Sequence, residues 1–246
     1  GDMAVENGFV YLSGTAYDEF PTTANAYQES FSDGGKIFLF NDPETDEPFE
    51  DFDPPILSDL SNPTDAFVTK LALDGGSLVY STYLGGAGVD YGNAITVENG
   101  VVFVTGGSGP QKETQVPFPT TANVYQRENG FGFLRSGSEV EDYFFNLTAQ
   151  YFTDVFVSKL SQDGSQLLYS TLIGNEGAEM AYDLTVKDGS PILSGTSNLN
   201  FPTTPDAFMP DSRGGNDLFL LRMNESATEL EYSTLIGTSG EEMLTK

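Results

Sequence analysis

Histidine and cysteine are absent from this chain of 246 residues. Without His there is no Ser-His-Asp triad, no imidazole general base and no imidazole metal ligand. Without Cys there is no thiol nucleophile, no disulfide framework and no thiolate zinc site. Any catalysis by this chain therefore has to rest on carboxylates, Tyr, Lys or Ser.

Basic residues are scarce, because 10 Lys and Arg stand against 37 Asp and Glu, for a net charge of −27. Nucleic acids and anionic membranes are bound by basic surfaces, so the composition argues against both partners. The chain also lacks a run of about 18 apolar residues, and we expect no membrane insertion. An acidic surface of this kind favours solubility and attracts cations.

The chain contains an internal repeat. The stretch DAFVTKLALDGGSLVYSTYLG at 65–85 recurs at 154–174 and 217–237, and the first two copies are identical at 12 of 21 positions. All three copies keep an Asp, a Phe, a Leu, the triplet Tyr-Ser-Thr and the closing Gly. Each copy reads as two short apolar strands around a turn, which predicts a β-hairpin.

A second repeated block precedes each copy and predicts another hairpin. Its two apolar strands are joined by Asn7-Gly8, Asn99-Gly100 or Asp188-Gly189, the residue pairs typical of type I′ turns with positive φ. A Phe-Pro-Thr-Thr segment follows at Phe20, Phe118 and Phe201. Because Pro does not fit a central strand, we interpret this segment as a connector anchored by its Phe.

Each repeat unit thus holds four short antiparallel strands, A to D, with apolar residues on both faces. Tandem four-stranded sheets covered on both sides are the blades of a β-propeller. We therefore predict an all-β, propeller-like array of three blades, with an internally duplicated β-sandwich as the alternative. The units run over 1–88, 89–177 and 178–240, and residues 241–246 begin a further repeat.

Three blades do not close a ring on their own, since closed propellers have about four or more. The outer blades are then expected to expose apolar faces, which soluble proteins avoid. We expect the chain to be a segment of a longer array or to associate with further copies, for instance two copies making six blades.

The motif over Asp65–Gly86, with Asp90-Tyr91-Gly92-Asn93-Ala94-Ile95 after it, resembles the bacterial seven-bladed β-propeller (SBBP) repeat. Val101–Gly106 and the Phe-Pro-Thr-Thr segment at Phe118 continue the resemblance. The third unit departs from it, because its turn lacks Asp-Gly and Arg222 replaces a Lys. The resemblance implies a propeller in a secreted or cell-surface bacterial protein, and it implies no shared catalytic residues.

Two of the three B–C connections carry insertions. Thr204 to Asp217 spans 13 positions, whereas Thr23 to Asp65 spans 42 and Thr121 to Asp154 spans 33. The insertions, at 31–64 and 127–153, are expected to crowd one face of the array, and long loops in compact folds are often functional.

The first insertion is acidic and proline-rich. Its alternating carboxylates offer the oxygen ligands that calcium prefers, without the spacing of an EF-hand. A self-repelling surface loop is the alternative. The candidate calcium ligands are Asp42, Glu44, Asp46, Asp51 and Asp53.

The second insertion is aromatic, and it predicts either a small satellite core or a surface that binds a partner. Together with two Phe of the first insertion it supplies the candidate partner-binding residues. These are Phe49, Phe52, Phe131, Phe133, Tyr143, Phe144 and Phe145.

Basic residues recur five positions after the repeated Asp: Lys70, Lys159 and Arg222 follow Asp65, Asp154 and Asp217. We interpret this spacing as a structural device at the blade edge. The leading functional hypothesis is a non-enzymatic surface module that binds a protein, a glycan or further copies of itself. A carboxylate-dependent polysaccharide hydrolase or lyase and a structural repeat of an extracellular fibre remain alternatives.

Overall fold

A computed structural model of the chain describes residues 1–32, 63–111, 115–130 and 153–244. This part of the chain contains twelve β-strands and no helix. The strands of the first sheet are β1 Asp2–Glu6, β2 Phe9–Ala16, β3 Asp65–Ala72 and β4 Leu78–Leu84. Those of the second are β5 Asp90–Glu98, β6 Val101–Ser108, β7 Asp154–Leu160 and β8 Leu167–Ile173. The third sheet has β9 Glu179–Lys187, β10 Ser190–Ser197, β11 Asp217–Met223 and β12 Leu230–Ile236.

Each sheet is an antiparallel meander in which sequential strands are neighbours, in the orders β1-β2-β3-β4, β5-β6-β7-β8 and β9-β10-β11-β12. The predicted all-β array of three four-stranded blades is therefore confirmed. Across the described residues, no helix is long and apolar enough to cross a membrane.

The turns agree with the sequence. In the first hairpin of blade 1, Asn7 has φ 51° and Gly8 has φ 82°, as a type I′ turn requires. Asn99 and Asp188, each followed by Gly, repeat this conformation in blades 2 and 3. Local turn chemistry thus sets the register of every A–B hairpin.

The Phe ring of each connector packs against the Phe ring of the third strand in its own blade. Ring centroids are 4.4 Å apart for Phe20–Phe67, 4.7 Å for Phe118–Phe156 and 4.3 Å for Phe201–Phe219. Phe118 and Phe201 are buried, whereas Phe20 in the outer blade is half-buried. The predicted anchoring of the connector by its Phe is confirmed.

The hydrophobic core lies between the blades. Strand β5 packs across β1, β2 and β3 of blade 1, and β9 packs across β5, β6 and β7 of blade 2. One buried cluster joins Val68, Tyr80 and Leu84 of blade 1 to Ile95 and Phe156 of blade 2. An equivalent cluster joins blade 2 to blade 3.

Among the residues that the structure describes, the two outer blades each leave one face without such a partner. At equivalent positions, Leu84 and Ile173 are fully buried, whereas Ile236 of blade 3 is 45% exposed. On the opposite side of the array, Ile95 and Leu184 are 4% and 7% exposed, whereas Met3 of blade 1 is 66% exposed. Blades 1 and 3 therefore present the two halves of the interface that joins blades inside the chain.

Candidate functional site

The repeated Asp of each blade holds the base of the B–C connection. Asp65, Asp154 and Asp217 begin the third strand and are fully buried. The Oδ2 atom of Asp65 accepts a hydrogen bond from the Ser32 backbone N–H at 3.0 Å. Gly130 donates in the same way to Asp154 at 2.7 Å, and Arg213 to Asp217 at 2.8 Å.

A glutamine braces this carboxylate in the two blades that carry insertions. Gln28 Nε2 donates to Asp65 Oδ2 at 2.9 Å, and its Oε1 accepts from the Gly85 N–H at 3.1 Å. Gln126 repeats both bonds with Asp154 at 2.7 Å and with Gly174 at 3.1 Å. Blade 3 has Met209 at this position, and the Ser212 hydroxyl donates to Asp217 Oδ2 at 2.7 Å.

A second carboxylate faces each of these aspartates from the start of the next repeat. It follows its partner by 25 positions in every case (65 to 90, 154 to 179, 217 to 242). Its backbone N–H donates to the carbonyl oxygen of the residue before the Asp, at 2.7 Å for Asp90, 2.6 Å for Glu179 and 2.8 Å for Glu242. The pairs Asp65–Asp90, Asp154–Glu179 and Asp217–Glu242, here called seam pairs, therefore link consecutive repeats.

The two carboxylates of a seam pair converge on the glycine that closes the fourth strand. A Cβ placed on Gly174 would lie 2.5 Å from Asp154 Oδ1 and 2.8 Å from Glu179 Oε2. Gly85 and Gly237 meet the carboxylates of their own seam pairs in the same way, closer than 3.0 Å. This crowding explains why the Tyr-Ser-Thr motif closes on Gly in all three copies.

Burial raises the pKa values of the carboxylates in the first two seam pairs. Desolvation raises the pKa of Asp65 and of Asp154 to about 7. Hydrogen bonds act in the opposite direction and lower the pKa: those from Ser32 and Gln28 for Asp65, and those from Gly130 and Gln126 for Asp154. Desolvation, with the charge of the facing Asp65, raises the pKa of Asp90 to about 8. The same two causes, with Asp154 as the charge, raise the pKa of Glu179 to about 9.

Within the described part of the chain, one oxygen of each repeated Asp has no hydrogen-bond partner. The Oδ1 atoms of Asp65, Asp154 and Asp217 are all buried and unpartnered, although each Oδ2 accepts at least two bonds. Buried polar atoms in folded proteins are nearly always satisfied. Because the four carboxylates of the first two pairs are inaccessible, they do not fit attack on a polysaccharide chain.

The recurring basic residues serve a different purpose from the blade-edge device that their spacing suggested. Lys70 and Lys159 lie in the third strand, inside the sheet, and their ammonium groups stand over aromatic rings of the second strand. The distance to the ring centroid is 4.3 Å for Lys70 over Phe9 and 5.0 Å for Lys159 over Phe103. That interpretation is wrong, because the third strand lies between two other strands of its sheet and not at an edge.

Two cavities open at the end of the blades where the B–C connections emerge. A cavity of about 440 Å³ in blade 3 is lined by Asn198, Asn200, Asp211 and Ser212 among others. A smaller one of about 170 Å³ occupies the related place in blade 2, beside Phe118 and Arg127. Both combine amide, hydroxyl and charged groups with one buried Phe.

The residues that the sequence predicted to bind calcium or a partner lie outside the described residues. They are Asp42, Glu44, Asp46, Asp51 and Asp53 for calcium, and Phe49, Phe52, Phe131, Phe133, Tyr143, Phe144 and Phe145 for a partner. Within the described ranges, no group of three or more acidic side chains is placed to hold a metal ion. Sequence reasoning missed the seam pairs, although their constant spacing of 25 was visible.

No protein-family model and no curated protein matches the chain. The resemblance to the SBBP repeat therefore stays a prediction that rests on the motif alone.

Proposed function

We propose that this chain is a non-enzymatic module of a secreted or cell-surface β-propeller that assembles with further blades through its two outer faces. The main support is a difference in burial between equivalent residues. Ile173 is fully buried by the next blade, whereas Ile236 is 45% exposed. Blade 3 also leaves Leu218, Leu220 and Tyr232 half-buried at positions where blade 2 buries Val155, Val157 and Tyr169.

The complementary face lies on blade 1. Met3 stands where Ile95 and Leu184 insert into the preceding blade, and Phe67 is half-buried where Phe156 and Phe219 are covered. A heterologous interface of this kind closes a ring when the rotation per blade allows it. In a solution of this chain alone, a second copy supplies the missing blades, and two copies close through two identical contacts.

Light scattering coupled to size exclusion tests the assembly. We expect a species of twice 26.5 kDa at 0.3 M salt and a weaker association at low salt, since each chain carries a net charge of −27. Met3→Asp and Ile236→Asp should each yield the monomer, because either face is needed for both contacts. Leu168→Asp, at an exposed residue of β8 away from both faces, is the matched control and should keep the dimer. A wild-type monomer at every concentration would overturn the proposal.

Glycan binding at the end of the blades from which the B–C connections emerge is a second candidate function. It is favoured because the two insertions are anchored in the same way. Ser32 and Gly130 occupy the same position on their buried Asp, so both insertions leave the blades at one end. The cavities beside Phe201 and Phe118 open at this end and offer the amide and hydroxyl groups that bind sugars.

An array of bacterial polysaccharide fragments is the probe for this function. Residues 33–62 and 131–152 are replaced by glycine linkers that match the three residues between Arg213 and Asp217. We expect the shortened chain to keep its fold and lose glycan binding, with Asp211→Asn as a milder variant in the blade 3 cavity. Equal binding by both chains would contradict recognition by the insertions. Release of new sugar ends from the same fragments would favour the hydrolase alternative.

A further inference from the structure

Each of the first two seams contains two buried carboxylates and, among the described residues, an oxygen atom without a hydrogen-bond partner. In the first seam Asp65 and Asp90 converge at Gly85, and in the second Asp154 and Glu179 converge at Gly174. Asp65 and Asp154 are fully buried, and their Oδ1 atoms, unpartnered among the described residues, lie beside the same glycine as the facing carboxylate. The same atom is left unsatisfied in both seams, so the arrangement belongs to the repeat and not to one irregular loop.

We propose that the seam pairs Asp65–Asp90 and Asp154–Glu179 each bind one divalent cation of the calcium class. Two carboxylates balance the charge of a divalent ion, and calcium takes six to eight oxygen ligands in flexible geometry. The two carboxylates supply the charged ligands. The net charge of −27 raises the local concentration of such an ion at the surface.

The donors already present at the first site bind other carboxylate oxygens than Oδ1 of Asp65. Ser32 and Gln28 occupy Oδ2 of Asp65, and Gly86 donates to Oδ2 of Asp90 at 2.8 Å. They orient the two carboxylates without reaching Oδ1 of Asp65. The alternative to a cation is a proton shared by the two groups, which the raised pKa values of both carboxylates permit.

We propose no cation for the third seam pair, Asp217–Glu242. Glu242 lies half-exposed, and its carboxylate already accepts bonds from the Thr238 hydroxyl at 2.6 Å and the Thr238 N–H at 3.1 Å. We therefore infer two ions per chain and not three.

Equilibrium dialysis against calcium with elemental analysis measures the stoichiometry. We expect two ions per wild-type chain, one for Asp65→Asn/Asp90→Asn, and one for Asp154→Asn/Glu179→Gln. Asp74→Asn/Asp183→Asn removes two exposed carboxylates and should keep both ions. Removal of the five acidic side chains at 42, 44, 46, 51 and 53 should also keep them, which separates the seams from the insertion.

Thermal unfolding of the wild-type chain gives a readout that does not depend on the variants' folding. At a calcium concentration of about 100 times the dissociation constant, with both sites filled, the Tm should rise by roughly 10 to 20 °C over a chelator-treated sample of equal ionic strength. Magnesium should give a smaller shift, since it demands a tighter octahedral site. The proposal would be overturned if the chain retained no calcium, or if binding were lost only when the insertion carboxylates are removed. A proton shared by the two carboxylates would then explain the seams.

Discussion

Thr153 and Glu179 join blades 2 and 3 by two reciprocal hydrogen bonds. The Thr153 hydroxyl donates to the Glu179 carbonyl oxygen at 2.7 Å, and the Glu179 N–H donates to the Thr153 carbonyl oxygen at 2.6 Å. At the first seam, Asp90 N–H donates to Thr64 at 2.7 Å, but the Thr64 hydroxyl reaches the Asp90 carbonyl oxygen only at 3.4 Å. The two seams thus share one backbone bond and differ in the strength of the hydroxyl bond.

Thr153→Val tests this difference. It keeps the shape of the side chain and leaves the buried Glu179 carbonyl without its second donor, so we expect a loss of about 1 kcal/mol in the free energy of unfolding. Thr64→Val is the matched control and should cost less, because its hydrogen bond is longer. Urea unfolding measures both, and equal losses would contradict the assigned difference.

Gly174→Ala should be strongly destabilising. The new methyl group would overlap Asp154 Oδ1 and Glu179 Oε2, and both side chains are fully buried. We expect a loss of about 3 kcal/mol, as for overpacked cores. Gly240→Ala is the control, since its Cβ would meet only Thr238 Oγ1 at 3.4 Å. A small effect at Gly174 would show that the seam pair is looser than described.

Two buried tyrosines of blade 1 should respond differently to loss of their hydroxyl groups. Tyr83 donates to the Tyr17 carbonyl oxygen at 3.0 Å and accepts from the Phe20 N–H at 2.8 Å, whereas the Tyr80 hydroxyl has no partner. Tyr83→Phe should lower the free energy of unfolding by about 1 kcal/mol, and Tyr80→Phe should leave it unchanged or raise it. The reverse order in chemical denaturation would refute the assignment.

Alkaline pH should destabilise the chain through Tyr80 and Tyr169. Burial raises the pKa of both above the ordinary value of 10, helped by Tyr11 and Asp163 near Tyr80 and by Glu225 near Tyr169. Because the folded pKa is raised, the stability from the neutral form is full below pH 10 and is lost as pH rises through the folded pKa.

The double variant Tyr80→Phe/Tyr169→Phe should therefore lose less stability than the wild type between pH 9, where this stability is still full, and pH 11, which lies inside the window. Tyr17→Phe, at an exposed position, serves as the control and should follow the wild type. The urea midpoint of each chain at pH 9 and at pH 11 measures how steeply its stability falls with pH. Identical slopes for all three chains would place the alkaline transition elsewhere.

The sequence predicted the blades well because their determinants are local. Asn7-Gly8 adopts its turn from residue type alone, and the Pro after Phe118 keeps the connector out of the sheet. The predicted blade-edge role of the recurring Lys was wrong because its determinants are not local. Its aromatic partner, Phe9 for Lys70, lies on another strand and is set by sheet pairing, which spacing within one strand does not reveal.

The sequence by itself determined the number of repeats, the strand order within each blade and the exposure of apolar residues on the outer blades. Alternation along a strand, turn residues and repetition are enough for that, since each acts within a few residues. Only the tertiary structure decided that Asp65 faces Asp90 and that Asp154 faces Glu179. Those contacts form when one blade packs on the next, and it is the removal of water from the seam that makes the two carboxylates a site.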